Sequence, residues 1–279
     1  ATLPPNPNES QTMDLELTGK RALVTGGSRG IGKAIARELA MEGADVAILA
    51  RDKARLDACA EELKKLTGCN IVPVVADTTS DDSVMQAVAE AVKGLRGGID
   101  ILINAAAQPG GYGTPPKLSD LTTDFFQNEM NVKVMGYIRC AREVAPYMKQ
   151  QGWGRIINIS GLAARNAGNT VGSMRNVAVA AMTKNLAEEL GPSGINVTVI
   201  HPGNTRTERT AERTRDQARK LGVSEEEVEK TMAGAVSIRH VVDATEVAYV
   251  AVFLASPKSI AINGDTIPAG GGAGKAIYY

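Results

Sequence analysis

Six short runs of aliphatic and β-branched residues punctuate the chain, at 21–25 (RALVT), 46–50 (VAILA), 71–76 (IVPVVA), 99–104 (IDILIN), 155–160 (RIINIS) and 196–201 (NVTVIH). Each is apolar on successive residues, which marks a strand covered on both faces. The longer stretches between them, 32–42, 53–67, 81–95, 123–150 and 173–190, read as helices. In the last of these, Val177, Ala181 and Leu190 recur at helical spacing and are expected to form a buried face. Strand–helix alternation imposes parallel pairing and right-handed crossovers, hence an α/β fold with a doubly wound parallel sheet flanked by helices. The rhythm starts near Leu17 and never resets, so one domain over 17–279 is expected behind a flexible N-terminal arm, 1–16. Residues 204–238 depart from it. They are highly charged and predict two short helices, the second opened by the capping box of Ser224 and Glu227. Lying past the C-terminal end of a strand, this insertion is expected to act as a lid over a ligand.

Composition narrows the partners. Lys and Arg total 31 against 31 Asp and Glu, so no overall basic field exists to hold nucleic acid or an anionic membrane. Neither is expected as a partner; a small-molecule substrate is. Three cysteines, Cys59, Cys69 and Cys140, lack a CxxC spacing and have only His201 and His240 beside them, so no metal site is expected. No apolar run approaches the roughly 20 residues that span a bilayer. Residues 1–13 have neither the basic start nor the apolar stretch of a secretion signal, and reduced thiols in a cytoplasmic protein are expected.

The first strand runs into Thr25-Gly26-Gly27-Ser28-Arg29-Gly30-Ile31-Gly32 and then a helix. Glycines let the backbone approach a ligand, and the helix aims its free N–H groups and positive dipole end at the same place, which suits a diphosphate. Gly27 to Lys33 also fits GxxxxGK, but a triphosphate loop then needs Ser or Thr, and Ala34 stands there. The choice of dinucleotide turns on the end of the second strand. An acidic residue there would hold the ribose 2′-hydroxyl of NAD. This chain has Arg51, nineteen residues after Gly32, with Arg29 in the glycine loop. Two guanidinium groups attract a 2′-phosphate, so NADP(H) is expected to be preferred over NAD(H).

These motifs resemble those of the short-chain dehydrogenase/reductase family from about Leu17 to Gly272. TGGSRGIG matches the family's TGxxxGxG loop at Gly26, Gly30 and Gly32. Asp77, followed by Thr78, looks like the aspartate that meets the adenine. Asn104, Ala105, Ala106 and Ala107 lie where the family has NNAG. Asn131 in MNVKVMG matches the helix asparagine of the active site. Pro202, Gly203, Thr205 and Thr207 match the PG motif beside the nicotinamide, and INGDTIPAGGG resembles the closing motif. The resemblance implies a single-domain Rossmann-like fold and a cofactor site made of Gly26, Ser28, Arg29, Gly30, Ile31, Gly32, Arg51, Asp77, Thr78, Asn104, Ala105, Ala106, Pro202, Gly203, Thr205 and Thr207. It further implies a homodimer or homotetramer built through the helices at 123–150 and 173–190.

The centre of the family pattern is missing. MTKNLAEEL at 182–190 fixes the register, and counting back puts Gly172 where the family has its catalytic Tyr and Asn176 where it has Lys. The serine position holds Gly161, with Ser160 one residue early. A Tyr phenol near pKa ~10 needs a neighbouring cation to exchange a proton near neutrality, so losing both together is chemically coherent. The candidates for the site are Asn131, Ser160, Asn176, Arg175, which polarises oxygen without releasing a proton, and Tyr112 in the loop after the fourth strand. The leading expectation is an NADP(H)-dependent oxidoreductase acting on a small alcohol or carbonyl compound through a non-standard site. The alternatives are a catalytically degenerate NADP(H)-binding protein and an enzyme of another class, a lyase or dehydratase, in the same fold.

Overall fold

A computed structural model describes residues 13–107 and 115–274. Seven strands form one parallel sheet in the order β3-β2-β1-β4-β5-β6-β7: β1 (Arg21–Thr25), β2 (Asp45–Ala50), β3 (Ile71–Val75), β4 (Ile101–Asn104), β5 (Gly154–Ile159), β6 (Ile195–Pro202) and β7 (Thr266–Ala269). Six are the apolar runs of the sequence. The seventh is short, carries Pro268 and lies beside glycines, so no apolar run announces it. Pro268 in β7 and Pro73 in β3 sit in the two edge strands, where a missing N–H is tolerated.

The helices are α1 (Gly30–Met41), α2 (Lys53–Thr67), α3 (Asp81–Gly94), α4 (Thr123–Met130), α5 (Gly136–Gln151), α6 (Thr170–Leu190), α7 (Glu208–Leu221), α8 (Glu225–Gly234) and α9 (Ala244–Ala255). Ile35 and Leu39 of α1, Leu56 and Leu63 of α2 and Val247 and Ala251 of α9 fill one face of the sheet. Val84 and Val88 of α3, Val144 and Met148 of α5 and Ala187 and Leu190 of α6 fill the other. None of the described helices is long and apolar enough to cross a membrane.

The stretch 123–150 is helical throughout, as expected, with a π-type turn at Asn131–Met135 joining α4 to α5. One expectation needs correction. On α6, Val177 and Ala181 face outward; Val171, Gly172, Asn176, Val179, Thr183, Ala187 and Leu190 face inward. At about 100° per residue, Val177 lies about 140° around the helix from Leu190. The charged segment 204–238 does form two helices, α7 and α8, and Ser224 exchanges bonds with Glu227 as a capping box.

Candidate active site

The sheet reverses its winding between β1 and β4, and ligands of such folds lie beyond the carboxyl ends of the strands at that switch point. Here β1 turns on Gly26, whose φ of +67° no L side chain adopts readily. A Cβ at Gly32 would stand 2.3 Å from the Gly26 carbonyl oxygen, so only glycine lets α1 begin this close to the strand. The Thr25 hydroxyl accepts the backbone N–H groups of Ala105 (3.0 Å) and Ala106 (3.1 Å), locking the ends of β1 and β4 together.

Two clefts open here and share Gly26, Arg29 and Ala107, making one groove. The first, about 400 Å³, is walled by Ser28, Arg29, Arg51, Asp52, Arg55, Asp77, Thr78 and Ala106. Arg55 was not evident from the sequence; it lies one turn into α2, in a helix rich in charged residues. Asp52, the one carboxylate at the end of β2 that could compete for a ribose, is engaged elsewhere. It caps α2 by accepting the Arg55 N–H at 3.1 Å and pairs with the Arg55 guanidinium at 3.2 Å.

The second cleft, about 710 Å³, runs from Gly30, Ile31 and Gly32 past Lys133, Ser160, Gly172, Arg175 and Asn176 to Pro202, Gly203, Thr205, Thr207 and α7. Glu208, the first residue of α7, reaches back across it and accepts the Gly30 N–H at 3.0 Å. The floor is a polar cluster. Asn176 Oδ1 accepts from the Lys133 ammonium at 2.8 Å and lies 3.2 Å from the Ser160 hydroxyl, which also donates to the Asn176 carbonyl at 3.1 Å. Lys133 donates a second proton to the Ser160 carbonyl oxygen at 3.2 Å. Lys133 is 4% exposed. Burial, aided by the Arg175 charge and opposed by Glu129, lowers its pKa to about 7.

The cluster differs from the sequence reading in several ways. Asn131 does not face the groove; its carboxamide accepts from Arg139 at 2.9 Å, and Arg139 pairs with Asp81. Asn104 is fully buried and lines neither cleft. It donates to Asn158 at 2.9 Å, and Asn158 donates to Thr183 at 2.9 Å, an internal brace beneath the site. Arg175 borders the cleft but is ion-paired with Glu129. Gly172 sits in the first turn of α6, where Asn169 accepts its N–H at 2.8 Å as the helix cap. Tyr112 lies outside the described residues. His201, beside Ser160 on the neighbouring strand, is buried with no partner among the described residues for either ring nitrogen, and burial lowers its pKa to about 4. Among the described residues no group of His, Cys, Asp and Glu is arranged to hold a metal.

The residue missed in the sequence is Lys133. Its signal was a lone lysine between Val132 and Val134 in an otherwise amphipathic helical stretch. The π-type turn brings all three consecutive residues under cover, as such turns often do at functional sites.

A glycine bend at the switch point, continuous with a polar cleft lined by α6 and α7, defines the class of doubly wound α/β proteins with a ligand crevice. Within that class, the chain belongs to the short chain dehydrogenase family, whose model matches residues 20–218. It is 34% identical over 252 residues to the short-chain reductase protein NovJ of Streptomyces niveus, covering 90% of this chain and 92% of that one. It is 31% identical over 268 residues to the NADPH-dependent reductase BacG of Bacillus subtilis, covering 94% and 100%. A crystal structure of L-sorbose reductase from Gluconobacter frateurii, complexed with NADPH and L-sorbose, matches with a TM-score of 0.88 at 29% identity, covering 95% of this chain and 100% of that one.

Proposed function

We propose that the protein is an NADP(H)-dependent oxidoreductase that interconverts a small alcohol and the corresponding carbonyl compound. The observation that carries this reading is the single groove joining three arginines at one end to the Lys133–Asn176–Ser160 cluster at the other. The dinucleotide fits the residues present: Gly32 leaves room for a diphosphate against the start of α1. Arg29, Arg51 and Arg55 wall the cleft that would take a 2′-phosphate, while Asp52 is held by its own helix. The named cofactors of BacG and of the L-sorbose reductase complex support the same choice. Pro202, Gly203, Thr205 and Thr207 would flank the nicotinamide, which when bound supplies or accepts a hydride.

This chain's own residues do the rest. Ser160 lines the groove at the end of β5, and its hydroxyl, turned away from Asn176, would donate its one proton to a substrate oxygen. Until then Asn176 holds that hydroxyl in place through its own oxygen and carbonyl. The helix α7 lines the cleft through Thr210 and Arg213 and would act as a lid that excludes water and strengthens each polar contact beneath it. A homodimer or homotetramer would cover the outward strip of Met174, Val177 and Ala181 on α6.

The test is calorimetric titration with NADPH and NADH, followed by turnover of a panel of ketones and alcohols. Tighter binding of NADPH together with reduction of any panel member is expected. Tight binding with no turnover would instead favour the non-catalytic reading that Gly172 raises, and product formed without nucleotide would favour a lyase or dehydratase.

A further inference from the structure

The resemblance leads one to expect an asparagine from the helix after β4 and a lysine from α6. The structure has the two residue types in the opposite places: Asn176 on α6, and Lys133 from the turn between α4 and α5, bonded directly to each other at 2.8 Å. The ammonium has three protons. Asn176 Oδ1 and the Ser160 carbonyl take two of them, and the side chain lines the same cleft as Gly172, the position that holds the tyrosine in the family pattern.

The charge balance is unusual for a structural contact. The groups facing Lys133 are Arg175 on α6, Glu129 at the end of α4 and His201 on β6. Glu129 is already paired with Arg175, and the low pKa of His201 keeps it neutral near pH 7. Two cations thus share one carboxylate in a buried place. An isolated buried ammonium costs several kcal/mol and an apolar side chain there would cost nothing comparable. A lysine kept under such conditions, with a spare proton in a cleft, has the properties of a working group.

On the oxidoreductase reading, we propose that Lys133 replaces the absent tyrosine–lysine pair, its Nζ giving a proton to the substrate oxygen as the carbonyl is reduced. In that direction a bound reduced nicotinamide would supply the hydride for the new C–H bond. One Nζ–H bond breaks, the O–H bond forms, and the alcohol leaves beside a neutral amine that regains its proton from water through the groove. In the oxidising direction the neutral amine takes the alcohol proton as hydride leaves carbon. Ser160 orients the oxygen, and Asn176 aims the amine. A burial-lowered pKa near neutrality makes both forms available at working pH.

The sign follows directly. Reduction needs the ammonium, so its kcat falls as pH rises through the Lys133 pKa, while the kcat of oxidation rises through the same value. Lys133→Arg keeps the charge but cannot release a proton near neutrality, and Lys133→Met removes both. Each is expected to lower kcat about 100-fold or more. Asn176→Asp, which sets a carboxylate beside the ammonium, is expected to move the pH midpoint upward by at least about one unit.

A readout independent of turnover is the titration of lysine ε-carbon resonances in [13C]lysine-labelled, nucleotide-free protein, with Lys133 assigned by its loss in Lys133→Arg. One resonance with a midpoint near 7 is expected, and a spectrum in which every lysine titrates near 10 would overturn the proposal even if the variants failed to fold. Full kcat in folded Lys133→Arg and Lys133→Met, with wild-type turnover intact, would overturn the role of Lys133 alone. Wild-type protein that binds nucleotide but converts no carbonyl or alcohol would instead overturn the reaction itself and this proton step with it.

Discussion

Glu208 lies where an incoming diphosphate would have to settle. Its carboxylate accepts the Gly30 N–H at 3.0 Å, at the positive end of α1, so binding an anion there requires the carboxylate to leave. Replacing Glu208 by Gln removes the charge and preserves the side-chain length. An anion at a helix N-terminus is stabilised by about 0.3–1 kcal/mol. A carboxylate left about 5 Å from a phosphate charge in a watery cleft costs about 0.8 kcal/mol more. Together these predict that Glu208→Gln binds NADPH about tenfold more tightly, since ~1.4 kcal/mol is a factor of ten. Calorimetric titration at low and at physiological ionic strength measures it. The gain should shrink as salt rises, because this charge pair is partly exposed and screened. Unchanged or weaker binding in Glu208→Gln would refute the reasoning and show that Glu208 does not oppose the nucleotide.

Two further substitutions probe the ends of the groove. Arg51→Ala should weaken NADPH binding about tenfold and leave NADH binding within about twofold, because a charge-assisted bond to the 2′-phosphate is worth about 1.5–3 kcal/mol before screening; an equal loss for both nucleotides in the same titration would remove Arg51 from that role. At the other end, restoring the family pair as Gly172→Tyr with Asn176→Lys should destabilise the fold by about 2 kcal/mol. A Cβ at 172 meets the Asn169 carboxamide at 2.6 Å and disturbs the α6 cap, worth about 1 kcal/mol, and a second ammonium then faces Lys133. Adding Lys133→Asn should recover about half of that loss in urea denaturation; a triple variant no more stable than the double would refute the charge argument.

Much of the fold was legible because it rests on local pattern. Five strands buried on both faces, and the half-covered edge strand β3, announce themselves as unbroken apolar runs, and TGGSRGIG marks the bend at the switch point. What could not be read was direction. Val177 and Leu190 share a plausible spacing, yet the row facing the sheet was decided by packing against β5 and β6, leaving Val177 outside. The 131–135 turn misled for a related reason: a π-type turn shifts the helical register, so Asn131 points to Arg139 and Lys133 enters the site. Asn104 was read as a cofactor neighbour because of its motif, but its carboxamide turns inward to Asn158. The two arginines at 29 and 51 were legible; Arg55 was not, since only the start of α2 at Asp52 brings it alongside them.

The wide turn at Asn131–Met135 has a consequence for length as well as for identity. A helix that closes one loop over five residues instead of four carries a surplus residue, a blister in an otherwise regular spiral. Deleting one position there other than Lys133 would let the spiral close normally and swing everything on one side of the deletion by about 100° relative to the other. The amine would then be aimed by a different pitch while every side chain in the reaction centre stayed chemically intact. Its delivery thus depends on a count of peptide units, and an alignment that simply gapped out the extra unit would hide it.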